Sequence, residues 1–201
     1  MITIVDYGVG NVNAIANMLK KIGAQCVITG KEEELQNASK IILPGVGAFD
    51  TALSELKKRN LEEVLHQKAK VQKVPVLGIC LGMQLLTNGS EEGQLKGFGW
   101  IPAFTYKFNA VSGLKVPHMQ WNHVEQMQES ALTNDLEPQS KFYFVHSYYV
   151  KTENKEHALL QAEYGVPFDA AVQNENIYGV QFHPEKSHKY GLRILSNFAS
   201  L

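Results

Sequence analysis

The apolar run Pro75-Val76-Leu77-Gly78-Ile79 ends on a cysteine, and Leu81-Gly82-Met83-Gln84-Leu85-Leu86 comes next with the texture of a helix start. A buried strand that turns at once into a helix restricts the fold more than any other stretch of the chain. It demands a sheet whose strand stops at residue 80 and a helix that packs back against it. This is the layout of a nucleophile elbow, in which a sharp turn holds the nucleophile above the sheet edge. Gly78 and Gly82 suit such a turn, because neighbours without Cβ atoms let strand and helix approach closely around a strained residue. A helix N-terminus beneath a thiol also favours the thiolate, the reactive form. Alone, a cysteine in this place is a small buried hydrophobe. The chemistry of Cys80 therefore depends on what else the chain carries.

The residues before the elbow read as alternating strands and helices. Residues 2–6 form a β-branched run, and Val12, Ile15, Ala16, Leu19 and Ile22 then recur at helical spacing before Gly23. Residues 26–29, 41–43 and 74–79 read as further strands. Residues 32–35, 48–56 and 61–71 read as helices. The alternation predicts a parallel sheet covered on both faces. From 98 to 180 the helical period fades into short β-rich runs (104–106, 142–145, 148–150, 170–173, 177–182), which predict antiparallel strands extending the sheet or forming a small second one. Leu192, Ile194, Leu195 and Phe198 pattern a closing helix. The expected class is thus an α/β mixed sheet with helices on both faces and an antiparallel extension, in a single domain over 1–201.

The totals narrow the function. With 201 residues, 44% hydrophobic and 19% charged, the chain can bury one full core. A net charge of −1 offers no nucleic-acid or membrane footprint. No apolar stretch approaches the ~18 residues of a membrane span. The start Met1-Ile2-Thr3-Ile4-Val5-Asp6 enters a strand at once and lacks the basic segment of a signal peptide. Two cysteines, Cys26 and Cys80, cannot form a disulfide framework, so a reducing cytoplasm is the expected setting.

The second chemical anchor is Gln181-Phe182-His183-Pro184-Glu185. Pro184 pushes His183 towards an extended conformation. In an extended segment residues two apart share a side, so Glu185 can orient the imidazole of His183. Cysteine, histidine and orienting acid make a nucleophile–base–orienter set. The third anchor is Leu43-Pro44-Gly45-Val46-Gly47, between a strand and a helix, where successive N–H groups can form an anion-binding nest. With the Leu81 N–H it is placed to hold an oxyanion. Other signals fail. Gly8-Val9-Gly10 lacks the third glycine of a dinucleotide loop. The His183/His188 and His118/His123 pairs have no cysteine cluster or H-E-x-x-H motif beside them, so neither metal nor cofactor is expected. His146, Trp100 and Trp121 read as packing residues.

Together the elbow 78–84, the turn 44–47 and the stretch 181–187 resemble the class I (triad-type) glutamine amidotransferases. Residues 6–11, 116–122 and 144–148 are similar to the HisH type within that class, the glutaminase subunits that work with a TIM-barrel cyclase of HisF type. The resemblance covers essentially the whole chain. It implies that Cys80 attacks the side-chain amide of glutamine and forms a glutamyl thioester. His183 then protonates the leaving ammonia and activates water, and Glu185 orients His183. It implies an oxyanion site at the N–H groups of Val46 and Leu81, beside Gly47, and glutamine contacts at Gln84 and the Ser147–Tyr148 backbone. Asn11, Tyr143 and Lys186 match positions facing the synthase subunit, into which ammonia would pass as part of a heterodimer.

Gln120 stands where that type usually has glycine, and Ala14 where a small polar residue is common. The continuation His188-Lys189-Tyr190-Gly191 is closer to paralogues that supply ammonia for sugar amidination in surface-polysaccharide pathways. Two acceptors are therefore open: the substrate from which a histidine-pathway cyclase makes imidazole glycerol phosphate, or a sugar. A cysteine-dependent α/β hydrolase fits less well, since there the acid precedes the histidine along the chain. A non-catalytic binding subunit is opposed by the complete triad.

Overall fold

A computed structural model describes residues 1–109 and 114–201. The first half alternates β1 (Ile2–Val5), α1 (Val12–Lys21), β2 (Cys26–Thr29), α2 (Glu32–Leu35), β3 (Lys40–Gly45), α3 (Phe49–Lys58), α4 (Leu61–His66), β4 (Val76–Cys80) and α5 (Leu81–Leu85). The second half carries β5 (Ala103–Lys107), β6 (His118–His123), β7 (Glu125–Gln126), β8 (Lys141–His146), β9 (Tyr148–Thr152), β10 (Ala158–Tyr164), β11 (Val166–Asn174), β12 (Ile177–Val180) and α6 (His188–Ser200). The main sheet has eight strands in the order β2-β1-β3-β4-β12-β11-β10-β7. Its β2-β1-β3-β4-β12 portion is parallel and the remainder antiparallel. Pairs β5–β9 and β6–β8 form two smaller antiparallel ribbons. The expected mixed sheet with an antiparallel extension is therefore what forms.

The central strands read as continuous apolar runs because helices cover both faces. Side chains alternate between two cores. Ile2, Ile4, Leu77 and Ile79 pack with Ile15, Leu19, Ile194 and Phe198 of α1 and α6. Val5, Ile41, Leu43 and Val76 pack with Phe49, Leu56 and Leu65 of α3 and α4. α1 begins where the Asn11 side chain accepts the Ala14 N–H at 3.3 Å, and it ends with Lys20 and Lys21 against the negative end of the helix dipole.

Three local departures have physical causes. The helix expected over 61–71 changes after His66 into a wider π turn, Gln67–Val71. β6 carries little apolar alternation, so it does not announce itself as a strand; its pairing with β8 forms it. After the extended His183, residues Pro184–Lys186 form a 3-10 turn instead of continuing extended. Proline restricts the residue before it but is itself preset for a first helical position.

The register places the chemistry. Gly45 pairs with Cys80 across β3–β4, and Val180 pairs with Ile79 across β12–β4. The 44–47 turn, the cysteine and the 181–185 segment therefore leave the carboxyl ends of three adjacent strands. In open α/β sheets that is where ligands bind. The elbow is packed too tightly for side chains. A Cβ on Gly82 would lie 1.8 Å from the Leu43 carbonyl oxygen, and one on Gly78 would lie 2.6 Å from that of Gly82. Gly82→Ala should thus destabilise the protein by at least about 1–3 kcal/mol, the usual range for overpacking. Urea unfolding would measure it, and a wild-type midpoint would contradict this packing.

Candidate active site

Cys80 sits at φ 55°, ψ −111° as the residue before α5. Positive φ in a non-glycine residue costs of order 1–3 kcal/mol and persists only where its surroundings enforce it. Here β4 enters and α5 leaves with no loop between them. The sulfur lies 3.9 Å from the Val145 carbonyl oxygen and 3.7 Å from Gln181 Nε2, and it is near enough to His183 to raise the pKa of the imidazole.

His183 is clamped by its backbone. Its N–H donates to the Tyr143 carbonyl at 2.9 Å, and its own carbonyl accepts the Ser187 hydroxyl at 2.7 Å. That hydroxyl in turn accepts the Tyr143 N–H at 3.0 Å, which ties the segment to β8. His183 Nδ1 lies 2.8 Å from Glu185 Oε1, and both side chains are buried. The 3-10 turn, not an extended strand, folds Glu185 back onto the ring. Glu185 Oε2 is buried with no hydrogen-bond partner among the described residues, so the carboxylate spends its bonding on the imidazole. Burial pushes the His183 pKa down, but the hydrogen bonds and charges of Cys80 and Glu185 outweigh it and raise the value to about 10.

A cavity of ≈ 350 Å³ opens over the sulfur, lined by Val46, Gly47, Cys80, Leu81, Gln84, Glu92, Pro117, Val145, His146, Ser147, Tyr148, His183 and Lys186. The residues expected for oxyanion and glutamine contacts thus share one wall system. Gln84 Nε2 donates to the Tyr148 carbonyl at 3.3 Å and to Gln181 Oε1 at 3.1 Å. The Tyr148 carbonyl also faces His146 Nδ1 at 2.7 Å. With both lone pairs engaged, only the N–H of Tyr148 is left for a ligand. That N–H points away from β5, because the neighbouring Phe108–Ser147 pair carries the ladder bond.

Sequence patterning does not single out Glu92, which lies in a loop with no motif or period. Its carboxylate accepts the Phe49 N–H at 3.0 Å, and burial raises its pKa. Lys186 Nζ sits 5.8 Å from the Tyr143 ring centre, and Trp121 meets Tyr143 edge-on at 6.0 Å. Asn11 caps α1, which lies against the Pro184–Lys186 turn. Trp100 is buried as expected. Trp121 is only half-buried and stacks on His188 at 5.5 Å. His146 is buried but not inert packing, because it lines the cavity and pairs with His118 at 2.9 Å.

The family model "Glutamine amidotransferase class-I" matches residues 3–200. Among curated proteins the chain is 52% identical over 198 residues to imidazole glycerol phosphate synthase subunit HisH 2 of Methanococcus maripaludis, covering 98% of each chain. It is 47% identical over 204 residues to the HisH subunit of Bdellovibrio bacteriovorus, covering 100% of each. It is 45% identical over 201 residues to HisH 2 of Pseudomonas aeruginosa, again covering 100% of each. Among solved structures it is similar to a glutamine amidotransferase with TM-score 0.77 at 17% identity, covering 100% of this chain and 99% of that one. It is also similar to PurLQS from Thermotoga maritima, with TM-score 0.75 at 20% identity, covering 99% and 97%. At those identities the structural likeness speaks for the fold.

The histidines should titrate in opposite directions. Burial pushes His118 down to about 4 and His146 to about 3. A depressed folded-state pKa stabilises above the unfolded value near 6.5, and that stability drains away as pH falls from 6.5 through 4 and 3. His183 is raised, so its contribution is complete below 6.5 and is lost as pH rises through about 10. In a histidine NMR titration, Cys80→Ala should lower the His183 midpoint and leave His118 and His146 neutral at pH 6. An unmoved His183 midpoint would contradict the influence of the thiol on the imidazole.

Proposed function

The chain belongs to the class-I glutamine amidotransferase family, and from that premise we propose that residues 1–201 form one amidotransferase domain whose triad is Cys80, His183 and Glu185. The protein is a glutaminase, the HisH-type subunit of an imidazole glycerol phosphate synthase, and serves histidine biosynthesis. The Methanococcus, Bdellovibrio and Pseudomonas relatives all carry that synthase name, which favours the histidine-pathway acceptor over sugar amidination. The observation that supports the triad best is the 2.8 Å contact of Glu185 with an imidazole that lines the same cavity as the elbow cysteine, a cavity wide enough for a small amino acid.

In this mechanism the Cys80 thiolate attacks the carboxamide carbon of glutamine. The tetrahedral oxyanion settles on the N–H groups of Val46 and Leu81, beside Gly47. When it collapses the C–N bond breaks, and the imidazolium of His183 gives its proton to the leaving nitrogen, so ammonia departs and a glutamyl thioester remains. Neutral His183 then takes a proton from water, whose oxygen attacks the thioester. The C–S bond breaks and glutamate is released. Glu185 keeps the ring oriented and offsets its positive charge. A high imidazole pKa suits the first role, because the proton is on the ring when the leaving group needs it.

Glutamine itself carries an ammonium and a carboxylate. Glu92, a half-buried acid on the cavity wall, is the counter-charge for the ammonium, and its pKa, raised by that burial, drops when a cation arrives. The Tyr148 N–H, the Ser147 backbone and Gln84 Oε1 take the remaining polar groups.

A synthase subunit works in a complex. The proposed partner is a TIM-barrel cyclase of HisF type, docked over Trp121, Tyr143, Lys186 and Asn11, which receives the ammonia. No helix among the described residues is long and apolar enough to cross a membrane.

Glutamate release from glutamine should rise when the cyclase subunit and its ligand are added, and Cys80→Ala should abolish it. Release that survives in Cys80→Ala would contradict the nucleophile. Glu92→Gln should raise KM for glutamine about tenfold or more while changing kcat less, as expected when a charged ground-state contact is removed. A steady-state titration of glutamine checks this, and an unchanged KM would remove Glu92 from the site.

A further inference from the structure

The polar groups behind the nucleophile form a chain whose direction is set by a single atom. The Tyr148 carbonyl oxygen can only accept hydrogen bonds, so the end of the Gln84 amide that faces it at 3.3 Å is the nitrogen. That same nitrogen lies 3.1 Å from the Gln181 side chain. An amide nitrogen only donates, so the atom it meets on Gln181 is the oxygen. The other end of the Gln181 amide is then its nitrogen, which faces Cys80 Sγ at 3.7 Å. Gln181 is completely buried, and its backbone N–H is held by the Ala170 carbonyl at 2.9 Å. The amide therefore has neither solvent to bond with nor freedom to turn over. A flipped Gln181 would set oxygen against sulfur and leave two donors facing each other.

We propose that Gln181 is a catalytic residue, whose carboxamide N–H donates to the Cys80 sulfur and holds it as the thiolate, with Gln84 fixing the amide's orientation. This rests on Cys80 being the nucleophile. A hydrogen bond made to the charged form of a group favours that form, and bonds to ionised groups are the stronger ones. Gln181 acts twice in the cycle. It supports the thiolate before attack on the carboxamide. It supports the sulfur again when the C–S bond of the thioester breaks and the electron pair returns to it. His183 cannot cover the second event alone, because at that point it carries the proton taken from water and is turned to the new C–O bond. Gln84 thereby has two tasks, one on the cavity wall and one behind the nucleophile.

The test reads the thiolate directly. Rates of Cys80 alkylation by iodoacetamide are followed against pH, with peptide mass spectrometry separating Cys80 from Cys26. The full-length variants are Gln181→Met, which keeps volume but removes the donor, and Gln181→Glu, which can still accept from Gln84 but turns an acceptor towards sulfur. Circular dichroism at the assay temperature establishes that each is folded. The proposal expects the whole profile to move to higher pH, by about one unit in Gln181→Met and further in Gln181→Glu, as for the loss of one charge-assisted bond to the thiolate. A residue that only fills space would leave the position of the profile unchanged. Wild-type profiles in the folded variants, or a Gln181→Glu profile no further displaced than that of Gln181→Met, would overturn it. Cys80→Ala decides the underlying reading separately: glutamine hydrolysis that persists there removes the nucleophile, whatever the alkylation profiles show.

Discussion

The site depends on the parallel register of β3, β4 and β12. Parallel neighbours end at the same edge, and the segments that leave them meet above that edge. Pairing of Gly45 with Cys80, and of Val180 with Ile79, brings the 44–47 turn, the thiol and the His183 segment to one place, where side-chain bonds such as those of Gln181 to Cys80 and Ser187 to Tyr143 then hold them. A one-residue slip would turn each strand over and exchange the two cores. The apolar alternation that selects the register, with Leu77 and Ile79 towards α1 and α6 and Val76 towards α3 and α4, therefore also selects the geometry of the chemistry. Backbone strain at Cys80 is sustained by the same arrangement, because β4 and α5 are both locked in place by packing on glycine.

Three buried histidines lie close together and hold different charges, and their partners explain why. His183 faces a thiol and a carboxylate, groups that reward a positive ring, and it is pushed up. His146 faces the Tyr148 carbonyl, His118 and, at longer range, the charge on His183, and burial pushes it down. Because the carbonyl can only accept, His146 carries its proton on Nδ1 and accepts from His118 through Nε2. His118 then offers Nε2 to Asn122, which approaches at 3.5 Å. A neutral dyad with one tautomer beside the charged His183 ring keeps repulsion out of the site and holds the Tyr148 carbonyl in place. It thereby positions the amide of Gln84.

Much of this is legible in the sequence because it is local. The elbow announces itself through a buried run, a cysteine and flanking glycines. The His-Pro-Glu stretch does so through the constraint proline places on its neighbour, and His183 is indeed extended at φ −97° and ψ 100°. The continuation is different, since Pro184 opens a 3-10 turn and brings Glu185 back by another path. β10 is hidden because Ala158-Leu159-Leu160-Gln161-Ala162 has the texture of a helix and becomes a strand only by pairing with β11 and β7. Glu92 and the orientation of Gln181 are out of reach for another reason. Neither comes from a period or a spacing; each exists only once a loop has folded against Phe49 or an amide against Gln84.

The most direct measurement is capture of the covalent intermediate. The full-length protein, assembled with the proposed cyclase partner and turning over glutamine, is quenched in acid, digested and mapped by mass spectrometry. The account predicts one glutamyl group on the peptide that contains Cys80, held by a bond that hydroxylamine cleaves as it cleaves a thioester. Glutamate released in steady turnover with the adduct on another residue, or with water attacking glutamine directly and no adduct at any quench time, would contradict it.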